Sequence, residues 1–212
     1  MTQIAWIAFA VAIVVAAVDW FAVARNNLRL RWASKPGTIA FLIAAAVALH
    51  PASGGMRSAF VVALLLSLVG DTVLLLGQPG FNIGLGAFLA AHIAFCVGFV
   101  LGGLDRGLLV YATTAVVVVS LAVGGRIIWS VLQAGKGTLA LPVGAYLLAL
   151  AAMVALAGGS ARPAALAGAA LSYASDGLIA WDQFVKPLPW SPLPVIVTYH
   201  VGQALLVLAL AS

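Results

Sequence analysis

Eight mostly apolar runs, of about 14 to 22 residues each and separated by short gaps, decide what this chain can fold into. The hydrocarbon core of a bilayer is roughly 30 Å thick and about 20 apolar residues in helical form cross it, so the runs read as transmembrane helices. They lie at about residues 3 to 24, 37 to 50, 57 to 77, 82 to 102, 107 to 124, 139 to 157, 163 to 182 and 192 to 211. Each ends at proline, glycine, asparagine or a cation, the residues that commonly stop helices. The second run is the short one: its 14 residues between Pro36 and Pro51 predict a helix that tilts, thins the bilayer or is partly re-entrant. Only 7% of the residues are charged and 65% are hydrophobic, against roughly a quarter charged in a soluble domain, which excludes a water-soluble globule. No gap is long enough to hold a separate soluble unit. Residues 1–212 are therefore expected to form a single integral membrane domain, an all-α polytopic bundle of eight transmembrane helices.

The chain carries 10 Lys and Arg against 5 Asp and Glu. These cations are scattered over the gaps and make no basic face, so the bilayer, and not nucleic acid, is the expected partner. Their distribution sets an orientation instead. Arg25, Arg29, Arg31 and Lys35 follow the first run and no cation precedes it. That pattern marks a first helix with its amino end outside, not a secretory signal, although Phe21-Ala22-Val23-Ala24 looks like a cleavage site. Carried through eight spans, Arg25, Arg29, Arg31, Lys35, Arg126, Lys136 and Lys186 fall on the cytoplasmic side, and Arg57, Arg106 and Arg162 on the other. Both termini are then expected outside the cytoplasm, in the cell (inner) membrane. Cys96 is the single cysteine, which excludes an intrachain disulfide and a four-thiolate zinc site.

Chemistry must come from polar groups inside the spans, where an ionisable side chain is costly unless paired, hydrated or turned to the bundle interior. Asp71 in the third run and Asp176 in the seventh each lie roughly 20 Å from the outer start of their helices at 1.5 Å per residue. One shared depth, nearer the cytoplasm, is expected for both. Neither aspartate has a Lys or Arg close by in its own span to pair with; the blander alternative is two separate packing aspartates, each hydrogen-bonded to a neighbouring helix. His92 in the fourth run and His200 in the eighth enter from the cytoplasmic side to depths of about 15 and 12 Å, so they can meet that layer. Tyr199 and Gln203, four residues apart, share a face of the eighth helix. Asp19 and Asp182, at the cytoplasmic ends of the first and seventh helices, are expected at the interface with Lys35 or Lys186 as counter-ions.

An internal repeat ties these residues together. Leu66-Ser67-x-x-Gly70-Asp71 parallels Leu171-Ser172-x-x-Ser175-Asp176, and a histidine follows each aspartate, by 21 residues for His92 and by 24 for His200. The spans involved are the third and fourth of four, twice. Such a register predicts two parallel four-helix repeats about an axis along the membrane normal, with the site at their interface.

With these residues in view, the chain resembles the YhhN/TMEM86 family of eight-span membrane proteins, whose characterised animal members are lysoplasmalogenases. The resemblance rests on Lys35-Pro36, Gly70-Asp71, the stretch Phe81-Asn82-Ile83-Gly84-Leu85-Gly86-Ala87-Phe88 with His92 four residues later, Tyr146, Gly168, Ser175-Asp176, Phe184, and Thr198-Tyr199 with Gln203. Their order and spacing across six helices carry it. Two positions depart: Phe95 stands where the family often has tyrosine, and His200 where it commonly has an aromatic residue, which ranks His92 above His200. The resemblance implies hydrolysis of the vinyl ether bond of a lysophospholipid, a lysoplasmalogen or another vinyl ether lysolipid, to a fatty aldehyde and a glycerophospho-alcohol.

The residues suit that chemistry. A vinyl ether hydrolyses when a proton adds to its alkene carbon; water captures the resulting oxocarbenium-like cation as a hemiacetal, which collapses to aldehyde and alcohol. The reaction needs a protonated acid and a nearby anion, and two carboxyl groups in a poorly solvated cavity supply both. Glycosidases set paired carboxylates against a similar cation. Asp71 and Asp176 are the expected catalytic pair, either one serving as the carbon acid. His92, Tyr199 and Gln203 would hold the water or the glycerol oxygens. Asn82, Ser175, His200 and Asp19 are further candidates for the substrate-binding layer, and Lys35 would meet the phosphate near the interface. Two histidines and two aspartates could in principle hold a divalent ion, but no metal-ligand cluster is visible and no cofactor is expected. An intramembrane aspartyl protease also pairs aspartates, yet Leu68-Val69-Gly70 precedes Asp71 in place of Gly-x-Gly, and Ser175 precedes Asp176 in place of tyrosine. The alternative reading is a small-molecule or proton-coupled transporter, which would use the same carboxylates and leave its substrate chemically unchanged.

Overall fold

The computed structural model describes residues 2–50 and 53–211, whose regular structure is entirely helical. In chain order these are α1 (Gln3–Ala24), α2 (Leu28–Ala48), α3 (Gly54–Leu74), α4 (Gln78–Leu101), α5 (Arg106–Gln133), α6 (Gly137–Gly159), α7 (Pro163–Phe184) and α8 (Pro192–Leu208), with a 3-10 turn at Ala209–Ala211. Side chains cap four of the starts: Thr2 accepts from the Ala5 amide at 3.1 Å, Asn27 from Leu30 at 3.1 Å, Ser53 from Met56 at 3.2 Å and Asp105 from Leu108 at 2.8 Å. Each satisfies an amide that a helix start leaves without an internal partner.

Among the described residues, six helices are long and apolar enough to cross a membrane: α1, α3, α4, α5, α6 and the stretch Pro192–Ala211. α2 and α7 are of similar length, 21 and 22 residues, and carry Lys35 and Asp176 respectively. The chain is a multi-pass membrane protein whose apolar residues face outward: Leu121 and Leu148 are 72% and 71% exposed, while Asp19 and Asp71 are fully buried. Lipid tails are as apolar as leucine, so close packing of small residues holds such helices together. α1 shows how, with Ala5, Ala8, Ala12 and Ala16 forming a buried stripe at helical spacing that Asp19 continues. α7 and α8 cross tightly, because a Cβ on Gly168 would stand 2.8 Å from the Gly202 carbonyl oxygen.

Contacts close six helices into a ring: α2 meets α3, α3 meets α4, α4 meets α6, α6 meets α7, α7 meets α8, and α8 returns to α2. α1 packs against α2 and α8, and α5 against α6 and α7. Inside the bundle Phe60 of α3 meets Phe95 and Phe99 of α4 edge-on, with ring centres 4.9 and 5.2 Å apart.

Two helices differ from the sequence expectation. The second does not begin after Pro36 as a short run; α2 starts at Leu28, spans 21 residues and contains Pro36. Proline inside a helix deletes one backbone hydrogen bond and crowds the carbonyl four residues back. A side-chain bond lies beside the break, from Thr38 Oγ1 to the Ser34 carbonyl at 3.0 Å. Arg29, Arg31 and Lys35 interrupt the apolar pattern over the first turns and hid the true start. α5 runs through Gly124-Gly125 to Gln133, so Arg126 lies within a helix and not in a loop. A glycine costs a helix about 1 kcal/mol relative to alanine, which weakens it without ending it. Pro51, the other limit of the expected second run, lies outside the described residues.

Candidate active site

The early start of α2 carries Lys35 two turns into the helix and turns it inward. Its Nζ stands 3.1 Å from Asp71 Oδ1, with both side chains buried. The Tyr199 hydroxyl donates to Asp71 Oδ2 at 2.8 Å, so α2, α3 and α8 meet at this one carboxyl. Gly70 makes room beside it: a Cβ there would stand 2.7 Å from the Phe88 ring, which lies against α3 and meets the Tyr199 ring edge-on at 5.7 Å.

Asp176 has different company. The Tyr146 hydroxyl of α6 donates to its Oδ2 at 2.5 Å. His92 Nε2 of α4 stands 3.6 Å from the same oxygen, too long for a direct hydrogen bond. The His92 and Tyr146 rings meet edge-on at 5.4 Å. Next to it, Ser175 Oγ donates to the Val195 carbonyl at 3.1 Å and ties α7 to α8. Phe88 and His92, four residues apart on α4, thus lie beside the Gly70–Tyr199 side and the Asp176 side of the site respectively.

Both carboxyl groups line one cavity with about 790 Å³ of empty space, mouth included. Lys35, Asp71, Tyr146, Ser175, Asp176 and Tyr199 make its polar part, and residues such as Leu74, Leu85, Leu147 and Ile179 its apolar wall. The lining reaches helix ends at Phe81, near the start of α4, and at Gln183 and Phe184, which end α7.

Of the sequence candidates, Asp71, Asp176, Lys35, Ser175 and Tyr199 come together on this wall. His92 is buried behind Asp176, and Gln203 is buried one turn beyond Tyr199, both off the wall. Asn82 is exposed in the first turns of α4. His200 turns toward α1, where its Nδ1 accepts from Trp20 Nε1 at 3.2 Å.

The counter-ion expectations need correction. Asp19 is buried, not interfacial: it accepts from Ser34 Oγ at 2.7 Å and lies 3.7 Å from Arg31 Nε. Lys35 pairs with Asp71 and not with Asp19, and it sits inside the bundle and not at the interface. An ammonium carried into an apolar bundle takes the carboxylate within reach. Asp182 accepts from the Leu188 amide at 2.5 Å and closes the turn after α7. Tyr146 was marked only by the resemblance; its other signal is that it is the single aromatic residue of α6. Among the described residues no group of three or more His, Cys, Asp or Glu is placed to hold a metal ion.

Fold and site together define a polytopic helical membrane protein with two carboxyl groups on the wall of one inner cavity. The chain belongs to the YhhN family, whose model matches residues 30–210 and so leaves α1 outside the match. It is 38% identical over 160 residues to lysoplasmalogenase TMEM86B of Homo sapiens, covering 74% of this chain and 65% of that protein. The Sus scrofa protein of the same name is 37% identical over 162 residues, 76% of this chain and 67% of its own. A lysoplasmalogenase of Mycobacterium tuberculosis (strain CDC 1551 / Oshkosh) is 34% identical over 178 residues, 80% of this chain and 66% of its own. The match to the human protein spans slightly less than two-thirds of that relative's length. No solved structure matches the chain.

Proposed function

We propose that the protein hydrolyses the vinyl ether bond of a lysophospholipid within the membrane, as the names of its relatives suggest for them. The observation that carries this reading is the shared cavity: a lysine-paired carboxyl and a carboxyl held by a phenol line one partly apolar wall. In this reading Asp176 is the carbon acid. With Tyr146 donating to Oδ2, the proton resides on Oδ1 and passes to the alkene carbon remote from the ether oxygen. Positive charge develops on the carbon that bears that oxygen. Asp71, fixed by Lys35 and Tyr199, orients the attacking water and offsets the charge. The water oxygen bonds to that carbon, and its proton returns to the Asp176 carboxylate. The hemiacetal then breaks its bond to the glycerol oxygen, which leaves with the hydroxyl proton, and the aldehyde is released. General acid catalysis contributes about 10² to 10⁴-fold to such a step.

We read all eight helices as spans of a single membrane domain, because α2 and α7 reach about 30 Å at 1.5 Å per residue. The halves α1–α4 and α5–α8 are read as parallel repeats. Supporting this, the chain of contacts α2, α3, α4 recurs as α6, α7, α8, and the junction of α4 with α6 recurs as that of α8 with α2. Each aspartate is also held by the second helix of its own half, through Lys35 or Tyr146, and by the fourth helix of the other, through Tyr199 or His92. The cation distribution orients both termini away from the cytoplasm of the cell (inner) membrane, which turns the Phe81 and Phe184 end of the cavity toward the cytoplasm.

The test is aldehyde release from an alkenyl lysophospholipid by purified protein in detergent, with the ester-linked lysolipid as the blank. In D₂O one deuterium should appear on the carbon next to the aldehyde, captured by borohydride before it exchanges. Near-wild-type turnover in both Asp71→Asn and Asp176→Asn would defeat the assignment. Uptake of unchanged substrate into sealed vesicles, with no aldehyde formed, would favour a transporter.

A further inference from the structure

Among the described residues α1 lends nothing to the cavity wall, and it lies outside the stretch that matches the family. Two consecutive side chains of α1 nonetheless reach the two helices that hold Asp71. Asp19 accepts from Ser34 Oγ at 2.7 Å, and Ser34 immediately precedes Lys35 on α2. Trp20 Nε1 donates to His200 Nδ1 at 3.2 Å, and His200 immediately follows Tyr199 on α8. Lys35 and Tyr199 are the two side chains that meet the Asp71 carboxyl.

We propose that Asp19 and Trp20 are positioning residues, a clamp by which α1 sets Lys35 and Tyr199 against Asp71 from outside the cavity. The mechanics follow from helix geometry. Successive side chains on a helix point about 100° apart, so fixing Ser34 toward α1 fixes the rotation of α2 and with it the direction of Lys35. The Trp20–His200 bond does the same for α8 and Tyr199. Small rotations matter at such a site, since a misplacement of about 1 Å can cost roughly 100-fold in rate. The alanine stripe Ala5, Ala8, Ala12 and Ala16 seats α1 closely enough for both bonds to form, and Arg31 at 3.7 Å adds its charge on the Asp19 side. The clamp also accounts for a histidine at position 200, whose Nδ1 is the acceptor. A phenylalanine there could not accept the Trp20 proton.

The activity arm of the test rests on the hydrolase reading, so a second arm does not. Trp20→Phe keeps the ring and removes the donor, Asp19→Leu keeps the size and removes the acceptor, and Trp6→Phe, at an exposed site on the same helix, is the control. Each is prepared with 3-fluorotyrosine in place of Tyr199, and kcat, KM and the fluorine resonance are read. Trp20→Phe should lower kcat about 5- to 10-fold with KM within about twofold, and should move the resonance. His200→Phe should move it too, and the pair together should do little more than either alone, since both remove one bond. Asp19→Leu should lower kcat by a similar factor, and Trp6→Phe should change neither readout. A resonance and a kcat that stay at wild-type values in Trp20→Phe and Asp19→Leu would overturn the clamp, whatever the melting temperature does. If wild-type protein releases no aldehyde the hydrolase reading fails, and the fluorine shift still decides the clamp.

Discussion

Asp71 of α3 and Asp176 of α7 line the same cavity, yet their surroundings differ in kind. Asp71 faces an ammonium at 3.1 Å and a phenol at 2.8 Å, whereas Asp176 faces a phenol at 2.5 Å and an imidazole nitrogen at 3.6 Å. The helix one step back supplies the contrast, Lys35 from α2 in one half and Tyr146 from α6 in the other. A buried carboxylate needs an opposite charge, while a buried carboxylic acid is content with hydrogen bonds. On the proposed mechanism, this exchange of partner suits one aspartate to be the anion and the other the proton donor. That division of labour is what the predictions probe.

The largest effect is expected for Asp176→Asn, which removes the transferable proton and keeps the shape. Aldehyde release should fall at least about 100-fold, toward the 10² to 10⁴-fold typical of a lost general acid, with little change in melting temperature. If Asp71→Asn were instead the dead variant and Asp176→Asn active, the two jobs would be exchanged. Lys35→Met comes next. It leaves the Asp71 carboxylate buried beside no cation, a loss that costs about 3 to 5 kcal/mol of stability, measurable by denaturant unfolding in detergent. Adding Asp71→Asn to Lys35→Met should recover most of that stability and none of the turnover. Equal stability of Lys35→Met and wild type would mean that Asp71 is not held as an anion.

A smaller effect separates the two phenols. With Asp71 as the anion and Asp176 as the acid, as proposed, Tyr199→Phe removes a bond to a charged group, of the kind worth about 1.5 to 3 kcal/mol, whereas Tyr146→Phe removes a bond to a neutral one, worth about 0.5 to 1.5 kcal/mol. Thermal unfolding of the two variants side by side should rank Tyr199→Phe as the more damaging; the reverse ranking would place the charge on Asp176.

These contrasts were only partly legible in the sequence. Run length revealed the helices, because the bilayer fixes how many apolar residues a span needs, and the cost of an ionisable group in lipid singled out Asp71 and Asp176. The start of α2 was not legible, since three cations interrupt the apolar pattern of the first half that Asn27 caps, and the inward turn of Lys35 was lost with it. Asp19 was within reach: it falls on the spacing of Ala5, Ala8, Ala12 and Ala16, the face any inward-turned α1 must bury. The bond from Trp20 to His200 was beyond reach, because it joins residues 180 positions apart and no local pattern marks its ends.

The smallest effect tests how far the site extends from the carboxyl pair. Phe81, Leu85 and Phe88 line the cavity at spacings of four and three residues, one face of α4, and Asn82 stands a further 100° or so around the helix, exposed. Its place inside the stretch Phe81 to Phe88 made it a candidate, yet that stretch meets the cavity through its aromatic and aliphatic members. Asn82→Ala should therefore leave kcat and KM within about twofold, the scale of a surface change away from any packed feature. A KM raised about tenfold with kcat intact would instead put the polar end of the lipid outside the mouth and against Asn82. The carboxyl pair would then act on a substrate whose headgroup stays at the membrane surface while only its ether bond is drawn down to Asp176.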